Sequence, residues 1–209
     1  KDLPSLGIAI PSETMRRFWT MLAHYHGQVL NYSKLASVFG VSDNTVRRYI
    51  DILNGTFMTR SLQPWFANTK KRLVKKPKLY IRDSGIFHSL CTVTSQKNLF
   101  GSEILGSSWE GFALEQVSKV IDRPYDQMYF WRLHSGAEVD LFWQQHGRNW
   151  AIEFKFADAP RGSKSMTNAI DELGLEHLWI VYPGKRRYSI SDKITAVGLG
   201  QIAESWEYP

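Results

Sequence analysis

The run Ala137-Glu138-Val139-Asp140-Leu141-Phe142-Trp143, followed after Gln144 to Asn149 by Trp150-Ala151-Ile152-Glu153-Phe154-Lys155-Phe156, decides how the second half of this chain folds. Residues two apart on a strand share a face. Val139, Leu141 and Trp143 therefore fall on one side of the first run, and Ile152, Phe154 and Phe156 on one side of the second. A two-residue turn at His146-Gly147 pairs positions whose numbers sum to 293, so that Leu141 meets Ile152 and Val139 meets Phe154. The same register sets Asp140 opposite Glu153 and Glu138 opposite Lys155. Directly opposed side chains stand roughly 5 Å apart at Cβ, and two carboxylates so placed are relieved by protonation, by a cation or by twisting apart. A divalent metal does this with oxygen ligands and waters, which suits Mg2+ or Mn2+. Lys155 shares Glu153's face and there orients water or stabilises charge developing on a phosphate; the plainer alternative is an ion pair with Glu138.

Upstream, Ser107 to Ile121 reads as a helix whose inward stripe is Ala113, Leu114, Val117, Val120 and Ile121. Counting back by three and four reaches Glu110, which places a carboxylate near the apolar face. Glu115 falls with Gln116 and Lys119 on the polar side, as an ordinary surface acid. Downstream, Met166 to Leu173 reads as a helix and His177 to Tyr182 as an apolar strand, with Lys185-Arg186-Arg187 as a solvated turn. His134 and Ser135 lie in a loop with no defined acid partner.

The first half has a different character. Splitting the formal charge of +6 at residue 90 gives 14 Lys/Arg against 5 Asp/Glu before the split and 12 against 15 after it. Met15, Phe18, Trp19, Leu22 and Ala23 recur at helical spacing behind Pro11-Ser12. Tyr32 to Phe39 makes a short helix, Gly40 supplies a turn, and a third helix begins at a Ser42 or Asp43 cap and buries Val46, Tyr49, Ile50 and Leu53. Short helix, glycine turn and capped helix is the layout of a helix-turn-helix, whose second helix can enter the major groove. Asn44, Thr45, Arg47 and Arg48 are its candidate DNA contacts, with a solvated face used for protein contacts as the alternative. Two strands follow, Thr56 to Gln63 and Lys78 to Arg82, and the basic tip between them (Lys70, Lys71, Arg72) would add phosphate contacts as the wing of a winged helix.

A helix Glu, a strand Asp and Glu-X-Lys on the next strand resembles the PD-(D/E)XK nuclease superfamily, with Glu110, Asp140, Glu153 and Lys155 in its positions. More specifically, Asn31-Tyr32-Ser33-Lys34-Leu35-Ala36, Val41-Ser42-Asp43-Asn44-Thr45-Val46, Pro77-Lys78-Leu79-Tyr80-Ile81-Arg82-Asp83-Ser84-Gly85 and Trp109-Glu110-Gly111-Phe112 are similar to the C-terminal region of a class of prokaryotic AAA-type ATPases. The resemblance implies a mixed α/β chain, with a winged helix-turn-helix over residues 1–90 and a nuclease-like α/β domain over 91–209. It implies an upstream ATPase domain, to which the start at Lys1 conforms. Under it, the chain would be a DNA-binding, metal-dependent nuclease that hydrolyses phosphodiesters, with Mg2+ or Mn2+ held by Asp140 and Glu153, assisted by Glu110, and water positioned by Lys155. It also leaves open a non-catalytic DNA-binding or protein-interaction module, because the nuclease-like fold does not by itself imply cleavage.

Composition excludes other classes. Cys91 is the single cysteine, which rules out an intrachain disulfide and argues against a thiolate zinc site. His24 and His26, two apart on a helix, point away from each other and do not make a zinc pair. No Gly-X4-Gly-Lys-Ser/Thr occurs, so this chain carries no P-loop for ATP. Neither a membrane-length apolar run nor a signal peptide is present, and a cytoplasmic protein is expected.

Overall fold

The computed structural model describes residues 10–66, 73–121 and 123–202. The fold is mixed α/β. Three helices come first: α1 (Ser12–Ala23), α2 (Tyr32–Phe39) and α3 (Asp43–Gly55). Their boundaries follow from local chemistry. Asn31 and Ser42 are N-caps whose side chains accept from the backbone N–H of Lys34 and Thr45, and Gly40 closes α2 in the left-handed region at φ 70°. Pro11, by contrast, precedes α1 without any side-chain cap. Phe18, Leu22, Leu35, Val46 and Ile50 close the core of this helical unit onto Leu79 of the sheet.

The strands are β1 (Gln28–Val29), β2 (Thr59–Pro64), β3 (Lys78–Ile81), β4 (Met128–Arg132), β5 (Glu138–Gln145), β6 (Arg148–Phe154), β7 (Leu175–Tyr182), β8 (Arg187–Ser191) and β9 (Ile194–Gly198). They form one sheet in the order β1-β3-β2-β4-β5-β6-β7-β9-β8. The β2–β3 ribbon expected as a free wing is instead built into this sheet. β1 pairs with the far side of β3, and β2 runs parallel to β4 through Gln63↔Tyr129 and Pro64↔Phe130. All four residues of β3 are consequently buried. The basic tip Lys70, Lys71 and Arg72 lies outside the described residues.

Helices α4 (Ser84–Leu90) and α5 (Gln96–Phe100) lead to α6 (Leu105–Val117), which packs on one face of the sheet. The core there joins Leu62 and Tyr80 from the first half to Ala113, Leu114, Val117, Leu141, Trp143 and Ile152 from the second. Helix α7 (Lys164–Leu173) covers the other face. A single sheet and a shared core thus cross the division expected at residues 90 and 91.

The hairpin register is as the pattern predicts from the turn to Leu141↔Ile152, whereas the expected pairs Val139–Phe154, Asp140–Glu153 and Glu138–Lys155 are not part of the ladder. Leu141 pairs with Ile152 and Gln145 with Arg148, and His146 and Gly147 make the turn at φ 54° and 73°. Positive φ at both central residues gives the twist that suits a two-residue hairpin. Two details differ. β4 pairs Tyr129 with Phe142 and Trp131 with Val139, so both Asp140 and Leu141 stand opposite Phe130. This bulge breaks the alternation: Leu141 enters the core under α6, whereas Val139 enters the core under α7. Phe156, expected inside with Ile152 and Phe154, is 42% exposed beyond the end of β6.

Candidate functional site

The ladder between β5 and β6 runs to Leu141↔Ile152. Beyond it the Asp140 carboxylate takes over from backbone pairing, as Oδ2 accepts from the Phe154 N–H at 3.0 Å. Asp140, placed by the bulge, is therefore both the end of the ladder and the start of a charged cluster. Its other oxygen, Oδ1, accepts from Lys78 Nζ at 3.0 Å.

Lys78 is the centre of that cluster. Its ammonium also lies 3.1 Å from Glu110 Oε1 and 2.5 Å from Glu138 Oε1, and its side chain is 3% exposed. The Tyr80 hydroxyl, two residues along β3 on the same face, donates to Glu110 Oε1 at 2.5 Å. Burial opposes the charge on Lys78, but Tyr80 and the surrounding carboxylates hold its pKa well above the ordinary lysine value. Burial, aided by the charge on Asp140, pushes Glu110 up to about 7.

Glu153 and Lys155 sit beside this cluster. Lys155 Nζ donates to Glu153 Oε1 at 2.7 Å, so the cross-strand pair considered between Lys155 and Glu138 does not form; Glu138 pairs with Lys78 and Arg132 instead. Glu153 Oε2 is buried without a hydrogen-bond partner, and burial together with Asp140 pushes the group up to about 8.

This donor set does not fit a divalent ion. Both Asp140 oxygens and Glu110 Oε1 already accept from protein donors, and an ammonium stands among the carboxylates where a metal would have to stand. Among the described residues, with Lys78 seated between the carboxylates, no group of three or more His, Cys, Asp or Glu is disposed to hold a metal.

Glu115 is a correction to the helical-wheel reading. It is 6% exposed rather than on a solvated face, because two arginines reach it from the first half. Arg60 Nη2 donates to Glu115 Oε2 at 2.9 Å and Arg60 Nε contacts Oε1; Arg82 Nε donates to Oε2 at 3.2 Å. The Tyr125 ring covers the Arg60 guanidinium at 3.2 Å from its centroid.

His26 ties the same halves together. Its Nδ1 accepts from the Ile81 N–H, which leaves Nε2 as the donor to the Ser107 carbonyl, each at 3.0 Å. Burial lowers its pKa to about 4. The ring lies so close to α6 that a Cβ at Gly111 would come within 2.3 Å of Nε2, which accounts for glycine there.

The recognition-helix candidates separate. Asn44 and Arg48 are exposed, whereas Thr45 is half-buried with its hydroxyl 2.9 Å from that of the capping Ser42. Arg47 is exposed and stacks on Tyr32 at 3.9 Å. It borders a cleft of about 380 Å3 with Asn54, Gln63, Lys75 and Lys76. Lys75 and Lys76 also border a neighbouring cleft of about 970 Å3 that reaches Arg132 and His134. In the sequence Lys75-Lys76-Pro77 is part of the charged connection between two strands, and its position beside the third helix appears only once the sheet is assembled.

The arrangement defines the class: a helix-turn-helix unit whose β-ribbon is an integral part of a mixed α/β sheet. Residues 1–97 match one domain of unknown function (DUF8612), and residues 105–202 match another (DUF4143). The chain is 44% identical over 202 residues to the uncharacterized protein Rv2008c of Mycobacterium tuberculosis and, to the same degree, to the uncharacterized protein Mb2031c of Mycobacterium bovis. The match covers 97% of this chain and 45% of either relative, so the chain spans under half the length of the curated relatives it matches. Among the described residues, no helix is long and apolar enough to cross a membrane.

Proposed function

We propose that this chain is a DNA-binding module of the cytoplasm that grips the phosphate backbone without cleaving it, the nuclease-like half serving as its scaffold. The observation that carries the reading is the cleft in which Arg47 of the third helix faces Lys75 and Lys76 of the strand connection. The cations on both walls outnumber the acid Asp51 that also lines the cleft, which suits a polyanion, and asparagine and glutamine add neutral hydrogen-bonding groups. Asn44 and Arg48, exposed on the same helix, are side chains of the kind that hydrogen-bond base edges. The misfit of the carboxylate cluster to a divalent ion supports binding over metal-dependent hydrolysis. The relatives' greater length, with the resemblance to AAA-type ATPases, supports a place beside an ATPase domain in a longer chain.

Fluorescence anisotropy with a labelled duplex, across a salt series, tests this. Wild-type binding should weaken steeply with salt, and Arg47→Ala and Lys75→Ala/Lys76→Ala should each lower affinity and flatten the log–log slope by about one for each phosphate no longer neutralised. Unchanged affinity and slope in both variants refute the assignment. A plasmid incubation with Mg2+ or Mn2+ is expected to leave the substrate intact; cleavage that disappears in Asp140→Ala would restore the nuclease reading.

A further inference from the structure

The carboxylates of the second half reach a lysine of the first half at their centre, which bears on what cation the site accepts. Lys78 is not a flexible surface residue free to swing aside. Its strand is paired on both sides, through Val29↔Lys78 and Leu62↔Lys78, and the preceding Pro77 carbonyl accepts from the Leu30 N–H. The side chain is buried and meets Glu110, Glu138 and Asp140 at once.

We propose that Lys78 is the resident cation of this site: its tethered ammonium takes the place of a divalent metal, and its removal uncovers a site for Mn2+ or Mg2+ on Asp140, Glu110 and Glu138. The inference rests on the non-cleaving half of the functional reading and is independent of DNA binding. An ammonium offers three donors and one positive charge. Three carboxylates ask for more charge than that, and without Lys78 they form a hard-oxygen pocket of the kind Mg2+ and Mn2+ occupy with waters. A metal entering the wild-type site would have to displace an ammonium that cannot diffuse away, and would bring two like-signed cations together.

The test is Mn2+ binding, followed by electron paramagnetic resonance of the free ion and by the Mn2+-dependent shift in Tm, for the wild type, Asp140→Asn, Lys78→Ala and Lys78→Ala/Asp140→Asn. The wild type should show no saturable binding. Lys78→Ala should bind one Mn2+ at least tenfold more tightly and rise in Tm with it, and the added Asp140→Asn should abolish both. Wild-type binding that is lost in Asp140→Asn overturns the proposal, as does a folded Lys78→Ala that gains nothing. If Lys78→Ala does not fold, Lys78→Gln replaces it, since its amide oxygen can itself join the metal shell; failure of Mn2+ to raise its Tm is equally fatal. Duplex affinity of the wild type and Arg47→Ala is read separately, so loss of the DNA-binding reading leaves this result standing.

Discussion

Two buried ionic clusters join the halves of this molecule, and they are unbalanced in opposite senses. Around Lys78, one cation from β3 faces three carboxylates. Around Glu115, one carboxylate from α6 faces two arginines, Arg60 and Arg82. Both use α6 as the source of an acid and the β2–β3 ribbon region as the source of a base. The excess differs in its outlets. On the arginine side, Arg82 is 30% exposed and Tyr125 covers Arg60, so water and a π-face take up the surplus positive charge. On the lysine side the surplus is negative and lies mostly within the fold, with Arg132 meeting Glu138 only at the rim, and it appears as carboxyl groups that hold their protons above the usual range. A cluster whose excess charge is solvated is a structural clamp. One whose excess is enclosed is chemically poised.

The sharpest way to break the comparison is to remove each central residue. Taking one partner from a buried ion pair commonly destabilises by about 3 to 5 kcal/mol, because the other charge is left uncompensated. Lys78→Met should lie at the upper end of that range in urea unfolding, since three carboxylates lose their shared cation. Glu115→Gln should lose less, about 2 to 3 kcal/mol. It keeps a hydrogen-bond acceptor for Arg60, and Arg82 can turn to solvent. If Glu115→Gln proves the more damaging, enclosure of the excess charge is not what separates the clusters.

How far these features can be read from the sequence follows the distance along the chain over which each is determined. The hairpin register is legible because period-two alternation and the His146-Gly147 turn fix it within a short stretch. The helix-turn-helix is legible because Asn31, Gly40 and Ser42 act on their own neighbours. Lys78 is not, as its partners lie 32 and 62 residues away and the sequence marks it only as the start of a strand. Glu115 misleads for the same reason: Gln116 and Lys119 mark its side of the wheel as polar, and only the folded chain brings Arg60 from 55 residues away. The bulge at Asp140 and Leu141 depends on β4, which pairs with the hairpin from outside it.

The acid-rich cluster should also announce itself by pH. Glu110 and Glu153 have folded pKa values raised to about 7 and about 8, above the ordinary 4.5. Between these limits the folded state binds protons that the unfolded chain releases, so stability should rise as pH falls from about 8 toward 4.5, by at most about 1.4 kcal/mol per pH unit for each proton. His26 works in the opposite direction below pH 6.5, because a buried neutral imidazole at about 4 is lost to the protonated unfolded chain. Urea titrations between pH 8.5 and 6.5 avoid that opposition. In this window Glu153→Gln should have a shallower slope than the wild type. Parallel slopes in the two proteins would mean that the buried Glu153 carboxyl does not take up a proton.

The smallest effect is expected where the acid-rich cluster meets solvent. Arg132 is 43% exposed, with Nε 3.4 Å from Glu138 Oε2, and such a pair contributes about 0 to 1 kcal/mol. Arg132→Gln should therefore unfold within about 0.5 kcal/mol of the wild type. Arg132 also borders the larger cleft beside Lys75 and Lys76, so the same substitution should weaken duplex binding and reduce its salt dependence. The two measurements separate what the cluster does for the fold from what its rim does for a ligand. A stability loss comparable with that of Lys78→Met would place Arg132 within the buried part of the Lys78 cluster. Unchanged duplex affinity would confine the nucleic-acid surface to the smaller cleft at Arg47.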